Sequence, residues 1–174
     1  MSPRRALARL NTLTTAAAES ALAEVCGAPG WASAVSSARP FADASALLAA
    51  AEAAWDGLPR EAWLEAFAAH PRIGEDRRVS GADASEWSRA EQAGMASADD
   101  VTRHGLAEVQ REYERRFGWP YIVCATGRSA GEMRADCRAR LGNAPQAEIV
   151  VAADEERRIG RLRLMRFLTE GGER

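Results

Sequence analysis

Alanine comes in blocks along this chain, Ala16-Ala17-Ala18 and Ala49-Ala50-Ala51 among them, and β-branched residues are sparse. Alanine is the residue most at ease in a helix. Val, Ile and Thr lose side-chain freedom there and suit a pleated surface instead. The chain is therefore built for helices, and its breakers say where each one starts and stops.

Asn11 to Cys26 reads as a first helix, with Thr14 or Thr15 available as cap, ended by Gly27 and Pro29-Gly30. Trp31 to Ala38 is a short segment closed by Pro40. Asp43 caps a helix through Trp55 that carries Leu47, Leu48, Ala51 and Trp55 on one side, and Asp56-Gly57 breaks it. Pro59 suits the first turn of the next helix, which runs to about Ala69. His70-Pro71 ends it, because a residue before proline is pushed out of the α region. Residues 71–83 are polar and read as a loop. Asp83 and Glu86 resemble a capping box for a helix through Ala96. Asp99 caps a helix to Phe117, stopped by Gly118 and Pro120. Tyr121 to Ala125 is the one run that could be extended, too isolated to make a sheet. Ser129 caps a helix to Leu141, and Pro145 opens a last long helix to about Leu168. On that helix Ile149, Ile159, Leu162, Met165 and Leu168 can face inward. The expected architecture is an all-α bundle of about eight helices, one domain over residues 1–174.

Charge and composition exclude several classes of function. With 23 basic and 25 acidic residues the net charge is −2, which gives no general attraction to nucleic acid or to anionic membranes. The apolar stretches are too short for a transmembrane helix. No continuous apolar run follows the N-terminal arginines, so no secretory signal is read there, and Gly171-Gly172-Glu173-Arg174 is not a peroxisomal tripeptide. Cys26, Cys124 and Cys137 form no CxxC pair and read as reduced thiols in a cytoplasm. Every basic residue is arginine, which reads as a GC-rich coding bias.

The histidine census is the sharpest limit on chemistry. There are two, His70 and His104, and no HxxxH, HExxH or glycine-rich nucleotide loop, so neither a zinc site nor a nucleotide site is expected. His104 reads as a surface or packing residue. His70 stands at a helix C-terminus before a proline, where helix carbonyls favour the imidazolium. Position alone leaves it either structural or an acid–base group. Ser88, Glu91 and Gln92, spaced i, i+3, i+4, share a helix face that either meets solvent or reads a small polar ligand. Arg161, Arg163 and Arg166 either coat a helix or hold a substrate carboxylate.

Taken in order, the motifs resemble a known family. His70 to Gly74 reads HPRIG, Ser88 to Gly94 reads SRAEQAG, and Tyr113 to Ala125 reads YERRFGWPYIVCA. Thr126 to Ser129, Glu132, Arg140, Asn143, Glu148 and Leu162-Arg163-Leu164 follow. The series is similar to the 2-oxo-4-hydroxy-4-carboxy-5-ureidoimidazoline (OHCU) decarboxylases, over nearly the whole chain from Leu10-Asn11 to the last helix. The family is all-helical. The resemblance implies cofactor-free decarboxylation of OHCU to (S)-allantoin and carbon dioxide, the last step from urate to allantoin. It implies a small-molecule substrate, no metal, and a homodimer.

Residue by residue, His70 matches the family's catalytic histidine and Glu91 its partner carboxylate. Arg163 best matches the arginine that positions the substrate carboxylate, with Arg161 as the alternative. Ser88 and Gln92 would hold the ureido arm, and Pro71 with the backbone of Tyr121, Ile122, Val123, Cys124 and Ala125 would complete the pocket. One departure stands out: three residues before Tyr113 the family usually has Asn, and here it is Gln110, for which a change in packing or in the support around the site, without loss of activity, is expected. Lack of a peroxisomal signal, with the arginine bias, implies a bacterial cytoplasmic protein. Two other readings remain at this point, a catalytically silent helical binding module and a lyase for a related ureido acid.

Overall fold

The computed structural model describes residues 2–74 and 98–170. Those residues form eight helices and no strand. In chain order they are α1 (Pro3–Thr12), α2 (Thr15–Ala23), α3 (Pro29–Ser37), α4 (Ala44–Asp56), α5 (Arg60–Ala68), α6 (Asp100–Phe117), α7 (Ala130–Arg140) and α8 (Pro145–Glu170). None is long and apolar enough to cross a membrane. The expected helix from Asp83 to Ala96 falls outside the described residues, as does the expected loop beyond Gly74.

The caps explain most of the boundaries. The side chains of Thr14, Asp43 and Asp99 accept from backbone N–H groups three residues on, satisfying donors that the first helical turn leaves without a partner. Ser129 and Glu132 form a reciprocal capping box on α7. That hydrogen bonding, the Ser129 backbone first and its hydroxyl second, holds the Glu132 carboxyl below its ordinary value. α6 ends where Gly118 takes φ of 85°, a left-handed conformation that a residue with a Cβ rarely adopts.

Two expectations need correction. Asn11 to Cys26 is not one helix: α1 ends at Thr12, Leu13 is extended, and Thr14 caps α2. A threonine that caps must leave helical backbone angles, so the residue that starts α2 is the one that prevents α1 from continuing. On α8, Met165 faces solvent while Leu164 is buried. Ile149, Ile159 and Leu168 are buried as expected, and Leu162 is half-buried. A covered row also runs in four-residue steps through Ala152, Glu156, Leu164 and Leu168, with half-buried Gly160 between them.

The chain divides into two compact units, residues 1–66 with 157–174, and residues 67–156. In the first, α2 packs on α3 and α3 on α4, around Leu22, Val25, Trp31, Val35, Leu47 and Trp55. Trp31 Nε1 donates to the Ala51 carbonyl at 2.9 Å, so a large ring is buried with its one polar atom satisfied. Arg39 donates to the carbonyls of Leu10, Leu13 and Ser36, closing the end of α1. Asn11 exchanges two hydrogen bonds with the Phe41 backbone, both of 2.9 Å.

In the second unit α6 packs closely on α7. A Cβ on Gly105 would lie 2.6 Å from the Arg134 guanidinium carbon, so this glycine lets that side chain lie across α6. Leu106, Val109, Tyr113, Phe117, Met133, Cys137 and Ile149 are buried there. No disulfide forms among the three cysteines, and burial pushes the Cys137 thiol up to about 12. His104 lies on the surface beside Glu108.

Replacing Ser129 with Ala removes the α7 cap. The expected cost is about 1 kcal/mol of unfolding free energy. A urea titration measures it, and helicity at neutral pH should not change.

Candidate active site

Tyr121 to Ala125 lies in the second unit in neither helix nor strand, so its backbone polar groups need partners from elsewhere in the fold. Two helices supply them. Arg140 of α7 donates through Nη1 to the Ile122 carbonyl at 2.9 Å. Glu155 of α8 accepts from the Cys124 N–H at 2.8 Å. The Ala125 carbonyl accepts from the Arg128 N–H, and Arg128 Nη2 reaches Glu155 at 3.4 Å. The Ile122 carbonyl, the Cys124 N–H and the Ala125 carbonyl thus each have a partner within the protein, and each of the two carbonyls keeps a second lone pair. Tyr121, Ile122, Val123 and Ala125 are buried, and Cys124 is half-buried.

Behind the segment lies an ionic core. Glu148 is fully buried and receives the Tyr113 hydroxyl, Arg140 Nε at 2.7 Å and Asn143 Nδ2 at 2.6 Å. Arg140 also lies over the Tyr113 and Tyr121 rings, 5.6 and 4.9 Å from their centroids. Tyr121 donates to Asp136 at 2.6 Å. Burial raises both tyrosine pKa values well above the ordinary phenol value, so each hydroxyl remains a donor at neutral pH.

His70 follows the last turn of α5, its N–H donating to the Phe67 carbonyl. Its Nε2 lies 2.8 Å from Oε2 of Glu156 on α8, and the two side chains are 11% and 1% exposed. The backbone after it is held by α6. Gln110 accepts from the Ile73 N–H at 3.1 Å and donates to the Ile73 carbonyl at 3.0 Å. One helical turn on, Glu114 takes both arms of the Arg72 guanidinium, each at 2.7 Å. Gln110, expected to change the packing or the support around the site, clamps the HPRIG backbone.

The other expected site residues fall in three groups. Pro71, half-buried, stands within the clamped loop. Arg163 belongs to the first unit, where its guanidinium donates to the Val25 carbonyl at 3.3 Å, and Arg161 is an exposed partner of Glu52. Ser88, Glu91 and Gln92 lie outside the described residues. Among the described residues no group of three His, Cys, Asp or Glu side chains is placed to hold a metal ion.

Sequence reasoning assigned no role to Glu155 and Glu156. They sit in the run Asp154-Glu155-Glu156-Arg157-Arg158, which reads as a solvated face. The available signal was register: Glu156 is four residues beyond Ala152 and eight before Leu164, on the covered row of α8.

Comparison with known proteins places the chain in a family. A family model described as OHCU decarboxylase matches residues 11–165. The 2-oxo-4-hydroxy-4-carboxy-5-ureidoimidazoline decarboxylase of Amia calva is 31% identical over 137 residues, 78% of each chain. The uric acid degradation bifunctional protein of Arabidopsis thaliana is 31% identical over 147 residues, 83% of this chain but 45% of that one. A crystal structure of OHCU decarboxylase in the presence of (S)-allantoin superposes with a TM-score of 0.74 at 29% identity, covering 85% of this chain and 96% of that one. An all-α carboxy-lyase fold of this kind defines the class, and the chain belongs to the OHCU decarboxylase family.

Replacing Gln110 with Leu keeps the volume and removes both bonds to Ile73. Because Ile73 is only half-buried, the expected stability loss is about 1 kcal/mol. Turnover should fall further, about tenfold, as the backbone beside His70 loses its fixed position. Unfolding and steady-state kinetics on the same preparation separate the two effects.

Proposed function

We propose that this chain decarboxylates OHCU to (S)-allantoin and carbon dioxide, without a metal or organic cofactor. The observation that carries the reading is His70, from the HPRIG motif inside the matched span, with its imidazole against the buried carboxylate of Glu156. That pair is a ready acid–base group in a chain of this family. The crystal structure of a relative obtained with (S)-allantoin supports the same product.

The substrate supplies its own electron sink. Its carboxylate leaves a ring carbon adjacent to a C=N, and the electron pair left by carbon dioxide delocalises into that bond. The hydroxyl on that carbon then gives up its proton and becomes the ring carbonyl, while a proton added to one face of the neighbouring ureido-bearing carbon sets the S configuration. The protein's part is orientation and proton handling. His70 hydrogen-bonds the hydroxyl on the reacting carbon and exchanges its proton. Arg163 takes the role the family resemblance gives it, positioning the substrate carboxylate. Tight binding of that carboxylate alone would resist loss of neutral carbon dioxide, so the arginine must act through orientation or on the enediolate-like intermediate. By the same resemblance Ser88 and Gln92 hold the ureido arm and Glu91 supplies a carboxylate. A homodimer belongs to the same proposal.

Time-resolved circular dichroism tests the reaction. Urate oxidase and hydroxyisourate hydrolase generate OHCU in place, with and without this protein. A fast rise of the (S)-allantoin signal that depends on the protein is expected, against the slow, stereochemically impure decay of the control. His70→Asn should return the trace to the control while leaving helicity intact; wild-type turnover in that variant would remove His70 from the chemistry. Dialysis against a chelator should leave the rate unchanged, and a loss restored by a divalent ion would overturn the cofactor-free reading.

A further inference from the structure

Glu156 presents a problem that its fold alone does not answer. It is 1% exposed, on a helix whose sequence around it is charged, and its neighbour Glu155 is already committed to the Cys124 N–H and Arg128. No donor among the described residues meets either Glu156 oxygen in full hydrogen-bond alignment. A buried carboxylate left in that condition is strongly unfavourable unless a counter-charge lies beside it. Among the described residues, His70 stands beside it, with Nε2 at 2.8 Å. An apolar residue would fill the same place on the covered row of α8 at no electrostatic cost, so the carboxylate is there for the imidazole.

The contact also selects a protonation state. With the proton on Nδ1 alone, Nε2 would be an electron-rich nitrogen 2.8 Å from a carboxylate oxygen, which is repulsive. The imidazolium and the neutral Nε2–H tautomer both avoid this. In either form Glu156 occupies Nε2. Nδ1 has no partner among the described residues. An imidazole has two nitrogens, so a second carboxylate on Nδ1 would leave none for substrate.

We propose that Glu156 is the positioning residue of His70: it keeps Nε2 protonated and leaves Nδ1 as the nitrogen that exchanges a proton with the substrate. This extends the proposed function, since it presumes that His70 handles the proton. It also moves the carboxylate that orients the histidine from Glu91 to α8, and leaves Glu91 for the substrate.

The chain's two histidines make the test direct. His104 is exposed and pairs with Glu108 on the surface, so His104→Gln gives a protein with one imidazole and unaltered activity. Long-range proton–nitrogen spectra of that protein, labelled with 15N, report which ring nitrogen carries hydrogen. Nε2 should carry hydrogen in the neutral ring, and Nδ1 should not. In Glu156→Leu, made in the same background, the ring should become a mixture of tautomers, with kcat lowered about a hundredfold and KM changed by less than about threefold. Glu156→Gln keeps an acceptor of the same shape, and should keep the Nε2–H tautomer with a smaller loss of kcat. It also serves if the Leu variant fails to fold. An unchanged tautomer in Glu156→Leu, a wild-type ring protonated on Nδ1 alone, or wild-type kcat in both variants would overturn the proposal. The spectra need no turnover. Failure of the decarboxylase reading would appear as an inactive protein with the Nε2–H tautomer intact, which leaves the pairing standing and removes its catalytic purpose.

Discussion

The second unit is organised around the ion pair between Arg140 and Glu148. Neither charge is tolerable alone at its depth: Glu148 is fully buried and Arg140 is 6% exposed. Each is therefore saturated. The carboxylate takes donors from α6, α7 and the turn before α8, through Tyr113, Arg140 and Asn143. The guanidinium spends a remaining nitrogen on the Ile122 carbonyl. One interaction thus settles a burial problem and fixes a strandless segment whose backbone would otherwise need a sheet. Burial works against the Arg140 charge, but hydrogen bonding to Glu148 and the charge of its surroundings outweigh it, so the guanidinium keeps its charge.

The histidine loop is fixed by a different device. Its backbone is gripped by α6, where Gln110 imitates a peptide group and completes both polar atoms of Ile73, while Glu114 closes on the Arg72 guanidinium. A carboxamide does the same for Phe41 in the first unit, where Asn11 exchanges two bonds with its backbone. Both clamps hold chain that leaves regular structure next to a proline, where ordinary backbone pairing stops. The ring of His70 is then set from α8. Holding the backbone from one helix and the imidazole from another leaves the side chain little rotational freedom, which is what an acid–base group requires.

Most helix boundaries were legible because capping is local chemistry. Asp43, Asp99, Ser129 and Gly118 act within three residues of themselves, and the sequence displays all of that. The break at Leu13 was missed because Thr14 is equally plausible inside an Ala-rich helix and in front of one. Met165 was misplaced because a row of leucines and isoleucines fits three-residue steps as well as four-residue steps until neighbours choose. His70 was legible through its motif. Its carboxylate was not, because an acidic pair followed by arginines has the composition of a wet surface, and only tertiary packing turned Glu156 inward. Gln110 was visible as a departure from the family's usual Asn, but its partner Ile73 lies 37 residues away and nothing local connects them.

Glu155 and Glu156 are consecutive, yet they serve different parts of the chain, one the Cys124 amide and the other the His70 imidazole. Successive residues on a helix point about 100° apart, so the angle between these two duties is built into adjacency. The length of α8 ahead of them is consequently not free to drift. One residue gained or lost between Glu148 and Glu155 would turn both carboxylates by a fraction of a turn relative to Glu148, which is anchored in the ionic core on the same helix. Divergence in this chain should therefore accumulate as substitutions on the outer face of α8 and as length changes elsewhere, while the spacing of seven residues from Glu148 to Glu155 is kept.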